Sequence, residues 1–104
     1  MNSTPNESEK KEQEPSPVDI SFLDIYQLID LFIMLLSEQA WRYIGLRVDP
    51  RTNKIKKDLV KAHVAIDCII SLVGKIEPNL YNSEIERLRR LITDLQINYA
   101  EQMK

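Results

Sequence analysis

The sequence predicts an all-α chain: two long helices plus a C-terminal amphipathic helix, assembling as a helical homo-oligomer. Three observations carry this. Apolar residues recur at three- and four-residue steps over three long segments. Only two glycines interrupt the 104 residues. The first segment is apolar almost all round, and a helix of that kind belongs inside something.

The chain begins with seventeen residues, MNSTPNESEKKEQEPSP, in which Met1 is the only apolar side chain. Three prolines and a mixed run of glutamates and lysines cannot bury a core, so residues 1–17 are expected to form a disordered polar tail. Residues 18–104 are expected to form one helical domain, since a chain this short supports a single modest core.

The first helix is expected over about Asp19 to Ile44, with Asp19 or Ser21 capping its start. Phe22, Ile25, Ile29, Phe32, Leu36 and Tyr43 step along one face, which reads as the core side. Leu23, Met34 and Trp41 lie on another side, and Leu28, Leu31 and Leu35 form a third stripe. Two neighbouring helices cover about two sides, not three, and each large side chain left wet forfeits about 1.5–3 kcal/mol. A second copy of the chain is the simplest cover, most often about a two-fold axis. Leu23, Leu28, Leu31, Met34, Leu35 and Trp41 are therefore the expected oligomer interface. Asp24, Gln27 and Asp30 would need partners there, because an unpaired buried charge is costly; Gln39 and Arg42 are the expected ones. The apolar run Ile20–Leu36 is too short and too polar to span a bilayer: seventeen residues make a helix of about 25 Å, short of the ~30 Å hydrocarbon core.

Gly45 is expected to close the first helix in the left-handed conformation, followed by apolar Leu46. The corner that follows carries Arg47, Arg51, Lys54, Lys56 and Lys57. Within it Asp49 and Pro50 suit the first two positions of a type I turn, Thr52 follows, and Asn53 tolerates a left-handed backbone. The flanking LRV and KIK alternate apolar and basic, which predicts a short two-stranded ribbon.

The second helix is expected over Asp58 to Ile76. Leu59, Ala62, Ile66, Ile69, Val73 and Ile76 make its main face, and Val60, Val64 and Cys68 an opposite strip. Pro78 stops it. The third helix is expected to start near Asn82 or Ser83 and reach about Gln102. Ser83 and Glu86 suit a capping box, Leu80 and Ile85 a hydrophobic staple. Its seam is Ile85, Leu88, Ile92, Leu95 and Tyr99, with Arg87, Arg90, Asp94 and Glu101 on the far side.

The order of motifs through the corner and beyond resembles the bacterial domain of unknown function 1844 family. The residues that carry it are Ile44-Gly45-Leu46, then Asp49-Pro50-x-Thr52-x-Lys54, then Asp58-Leu59-x-x-Ala62-x-x-x-Ile66-Asp67. The likeness continues through Lys75, Asn79-Leu80, Glu84 and the run LITDLQINY from Leu91 to Tyr99, and so covers about residues 20 to 100. Two departures stand out: Asn53 stands where the family has glycine, and Ile76 and Pro78 stand where it has threonine and glycine. The resemblance implies a small, helical, cytoplasmic bacterial protein and supplies no activity.

Candidate chemistry is sparse. His63 and Asp67 sit one helical turn apart and are expected to make a polar contact. A metal site needs three or four ligands, and this is the chain's single histidine. Cys68, the one cysteine, has no partner for an internal disulfide and suits a reducing cytoplasm; it reads as a buried, unreactive thiol. A net charge of −2 draws the whole molecule toward neither nucleic acid nor an anionic membrane. Arg87, Arg89 and Arg90 are interleaved with acids at helix-pairing distance. The expected function is thus a non-enzymatic oligomerisation or adaptor role built on the first helix, without a cofactor. Its expected partners are a second copy of the chain, a dimer first, and a further protein. The alternative is a small-ligand or nucleic-acid binding module using the basic connector 47–57, with nucleic acid disfavoured.

Overall fold

The computed structural model describes residues 20–104, so the polar tail expected at 1–17 lies outside the described residues. Among the described residues three α-helices are set out in chain order: α1 (Ile25–Ile44), α2 (Leu59–Ile76) and α3 (Asn82–Gln102). A short 3-10 turn, Glu77–Asn79, joins α2 to α3. The fold is all-α, as the apolar periodicity requires.

Helix α1 starts five or six residues later than expected. Its cap is Asp24 rather than Asp19 or Ser21. The Asp24 carboxylate accepts from the Gln27 N–H at 2.9 Å, and the Asp24 N–H donates back to the Gln27 side chain at 3.1 Å. This reciprocal capping box satisfies two backbone donors. It also removes the need to bury Asp24 and Gln27 inside an interface. At the other end Gly45 has φ +98°. Its N–H donates to the Arg42 carbonyl and the Leu46 N–H to the Trp41 carbonyl, the pair of bonds that closes a Schellman motif.

The corner folds on itself. The Asp49 carbonyl accepts from the Thr52 and Asn53 N–H groups at 3.2 and 2.7 Å. Asn53 takes φ +56°, the left-handed backbone that asparagine tolerates in a turn. The expected ribbon shrinks to a single antiparallel bridge between Asp49 and Lys54. The four-residue loop between them brings one pair of backbone groups together, and beyond it the Lys57 ammonium donates to the Gln102 side chain at 2.8 Å. The Asp58 N–H then reaches back to the Tyr43 carbonyl at 2.8 Å, tying the start of α2 to the end of α1.

Asp58 caps α2 by accepting from the Lys61 N–H. The buried side of α2 is Ala62, Ala65, Ile66, Ile69, Val73 and Ile76, the main face expected with Ala65 added and Leu59 only half-buried. The cap of α3 is a correction. The Tyr81 N–H donates to the Glu84 carboxylate at 3.2 Å, whereas the Ser83–Glu86 pair was expected. Ser83 already sits in the first helical turn, two positions past the Tyr81 cap where its hydroxyl would be useful. Leu80, just ahead of the cap, packs on the core.

The core joins Ile33, Ala40 and Ile44 of α1 to the α2 face and to Leu88 and Leu95 of α3. The buried stripe of α1 matches the expected one only in part: Ile29, Leu36 and Tyr43 pack half-buried against the core. It is turned so that Ile33, Ala40 and Ile44 point inward, while Phe22, Ile25 and Phe32 are exposed. Ala40 on α1 and Ala62 and Ala65 on α2 have little side chain to hold two helices apart, which favours this contact over one built on phenylalanine. Ion pairs fasten the edges: Asp30 meets Arg87 of α3 at 3.4 Å, and Glu77 meets Arg89 at 2.6 Å. Arg87 thus faces α1, not the far side. Asp30 finds its partner inside the chain, where Gln39 and Arg42 were expected.

Candidate functional site

Two features stand apart from the core. The first is the side of the α1–α2 hairpin away from α3. Two shallow grooves run there, of about 390 and 340 Å³. Phe32, Leu36, Cys68 and Leu72 line one; Leu36, Tyr43, Val64 and Cys68 line the other. Leu36 and Cys68 belong to both, so the grooves form one continuous apolar face. Helical register accounts for it: Phe32, Leu36 and Tyr43 fall on one flank of α1 beside Ile33 and Ala40, and Val64, Cys68 and Leu72 on the facing flank of α2.

The residues expected at an oligomer interface spread around α1. Met34 and Leu35 are 53% and 54% exposed. Leu23, Leu28 and Leu31 are half-buried. Trp41 is half-buried and packs against the core. Phe32 and Leu36 had been read as core-facing; Phe32 is 44% exposed, Leu36 packs against the core, and both line the open face. Val60 and Val64, read from the sequence as a second strip on α2, are exposed. Cys68 is exposed as well, which corrects the buried thiol: among the described residues no helix covers its flank of α2, which lines the grooves.

The second feature is a cavity of about 470 Å³ at the corner. Gln39, Arg42 and Tyr43 reach it from the last turns of α1, Asp49, Pro50 and Arg51 from the turn, Lys56 from the strand-like exit, and Lys61 from the first turn of α2. Gly45 and Thr52, the other turn residues singled out, shape the backbone around it. Asp49 is buried. Its carboxylate accepts from the Arg51 N–H at 2.9 Å and from the guanidinium at 3.3 and 3.1 Å. The side-chain hydrogen bond with Arg51, then the backbone one, hold its pKa down at about 2, against the opposing effect of burial. The Lys61 ammonium lies 5.6 Å from the centre of the Tyr43 ring, within cation–π range. Spacing alone shows neither Arg42 nor Lys61 as a partner of the corner, because the hairpin closure brings them there.

His63 and Asp67 do meet, Nδ1 to Oδ2 at 3.4 Å, with both side chains more than half exposed. The Tyr99 ring stands 5.9 Å from the imidazole. Among the described residues no group of three or more histidines, cysteines or acids is placed to hold a metal, and no helix is long and apolar enough to cross a membrane.

These features define a small all-α protein, a helical hairpin braced on one side by a third helix, with an apolar face and a cationic corner. The chain belongs to the family described as domain of unknown function (DUF1844), whose model matches residues 26–101. No curated protein and no solved structure matches it.

Proposed function

We propose that this protein is a non-enzymatic assembly module that pairs with a second copy of itself, as a dimer, and acts as an adaptor for a further protein in a reducing cytoplasm. The observation that carries the reading is the continuous open face of Phe32, Leu36, Val64 and Cys68 on the α1–α2 hairpin. Met34 and Leu35 extend the apolar surface around α1. Each Å² of it removed from water is worth about 25 cal/mol. Contiguous exposed apolar surface is the usual mark of an association site.

The partner of choice is another copy because the α2 strip is self-complementary. Val60, Val64 and Cys68 follow each other at four-residue steps. An antiparallel copy centred on Val64 sets Val60 of one chain across from Cys68 of the other, twice over. The exposed His63–Asp67 pair supports a non-enzymatic role, since water on both side chains weakens the charge interactions that tune a general base.

Sedimentation over a micromolar dilution series tests the association: a dimer is expected, and a well-folded monomer throughout would overturn it. The V60C variant tests the register. Within one chain, positions 60 and 68 are two helical turns, about 12 Å, apart, beyond the roughly 7 Å limit for a disulfide. Oxidation is therefore expected to give a covalent dimer through Cys68.

A further inference from the structure

We propose that the corner cavity binds a small multi-anionic ligand of the phosphate class, of pyrophosphate size or larger, gripped by Arg42, Lys56 and Lys61. The inference goes beyond self-association: Gln39, Tyr43 and Lys61 border both the cavity and an apolar groove, while Arg42 and Lys56 belong to the cavity alone.

Convergence is the first argument. Four cations, Arg42, Arg51, Lys56 and Lys61, come to one cavity from both helices and the connector between them. Asp49 is the one acid in the lining. Arg51 already occupies both of its carboxylate oxygens. Among the described residues, Arg42, Lys56 and Lys61 form no ion pair. The cavity thus sets four cations against one acid, Asp49, and keeps an excess of positive charge.

The second argument is preorganisation. The Asp49–Arg51 bonds brace the turn, and the Asp58 N–H to Tyr43 carbonyl bond sets α2 against α1. The Tyr43 ring carries the Lys61 ammonium on its face, so that cation is in place before a ligand arrives. The Gln39 amide adds a donor at the wall. Preorganised donors lose less entropy on binding than free side chains do.

Size and shape choose the ligand class. A cavity of about 470 Å³ lies within the ~300–1,000 Å³ range of small-molecule sites. It has room for two or more linked phosphoryl groups. Lysine and arginine both suit phosphate oxygens, arginine through its fork and lysine as a point charge. Nucleic-acid strands are instead followed by an open groove with stacking aromatics. Here the one aromatic in the lining, Tyr43, already has a lysine over its ring.

Lys54 supplies the internal control. It belongs to the same basic connector and is exposed, yet it does not line the cavity. Calorimetric titration of the full chain with inorganic pyrophosphate is the test. One site per chain is expected, with K56Q and R42Q each weakening binding by roughly tenfold, the equivalent of about 1.4 kcal/mol for a charge-assisted hydrogen bond. K54Q is expected to leave it unchanged. Circular dichroism checks that R42Q, which alters the last turn of α1, still folds; K56Q sits on the exposed connector and serves alone if it does not. Absence of binding heat and of any thermal shift with pyrophosphate would overturn the site. So would equal losses from K54Q and K56Q, which would mean diffuse attraction. Tighter binding to a long single-stranded oligonucleotide than to pyrophosphate would replace it with a nucleic-acid surface.

Discussion

The α1–α2 hairpin has two apolar faces with different fates. On one, α3 lays Leu88 and Leu95 against Ile33, Ile66 and Ile69 and closes the core. Arg87 pairs with Asp30 at its margin. On the other, Phe32, Leu36, Val64 and Cys68 line open grooves. Apolarity is common to both. What differs is the supply of helices: of the three described helices, one is left to give once the hairpin is formed. Hydrophobic pattern states that a face wants cover, and topology decides whether the same chain provides it.

The strongest way to break the comparison is on the covered face. Ile69→Ala empties a fully buried site between the helices and is expected to cost about 2–5 kcal/mol, read as a lower denaturant midpoint. Gly45→Ala touches neither face. The added methyl would meet Lys57 atoms at 3.5 Å, an ordinary contact, so the cost comes from the left-handed backbone and is about 1–2 kcal/mol. Asp24→Ala removes the α1 cap and is expected to cost ~1 kcal/mol, with hydrogen exchange rising first at residues 25–28.

Two smaller effects sharpen the contrast. The Asp49 pKa is lowered from 3.8 to about 2 in the fold. A carboxylate held low stabilises the folded state fully above its unfolded value and loses that contribution as pH falls through the folded one. Thermal scans should therefore show a loss of stability between about pH 4 and pH 2 that Asp49→Asn lacks. The smallest expected change in monomer stability is on the open face. Val64→Ser should shift it by no more than about 0.5 kcal/mol, as for an ordinary surface substitution, while weakening self-association in sedimentation. A large loss of monomer stability from Val64→Ser would mean the face is not open.

Much of the fold was legible in the sequence, and the misses have physical causes. The α2 main face was readable because its apolar residues form one dense stripe with alanines at the close contacts. The α3 seam was readable because polar residues fill the rest of that helix. In α1, apolar side chains surround the axis, so periodicity offered several faces: it found Ile29, Leu36 and Tyr43, which pack on the core, but pointed to Ile25 and Phe32 instead of Ile33 and Ala40. The late start of α1 was missed because Asp24 lies inside an apolar run, where its bond to Gln27 is hidden until the chain turns. At the corner, the turn at Asp49–Asn53 was visible as local chemistry. The cavity was not, because Arg42 and Lys61 are nineteen residues apart.

By itself the sequence determined what depends on neighbours along the chain: three helices, the glycine that ends the first, the aspartate that starts the second and the turn between them. Those features rest on backbone dihedrals and hydrogen bonds spanning a few residues. Only the tertiary structure decided which flank of α1 is buried, that Cys68 stands in the open, and that the corner's cations share a cavity. These depend on how two helices approach and where the third one lies, and contacts between distant residues are not written in the spacing of either.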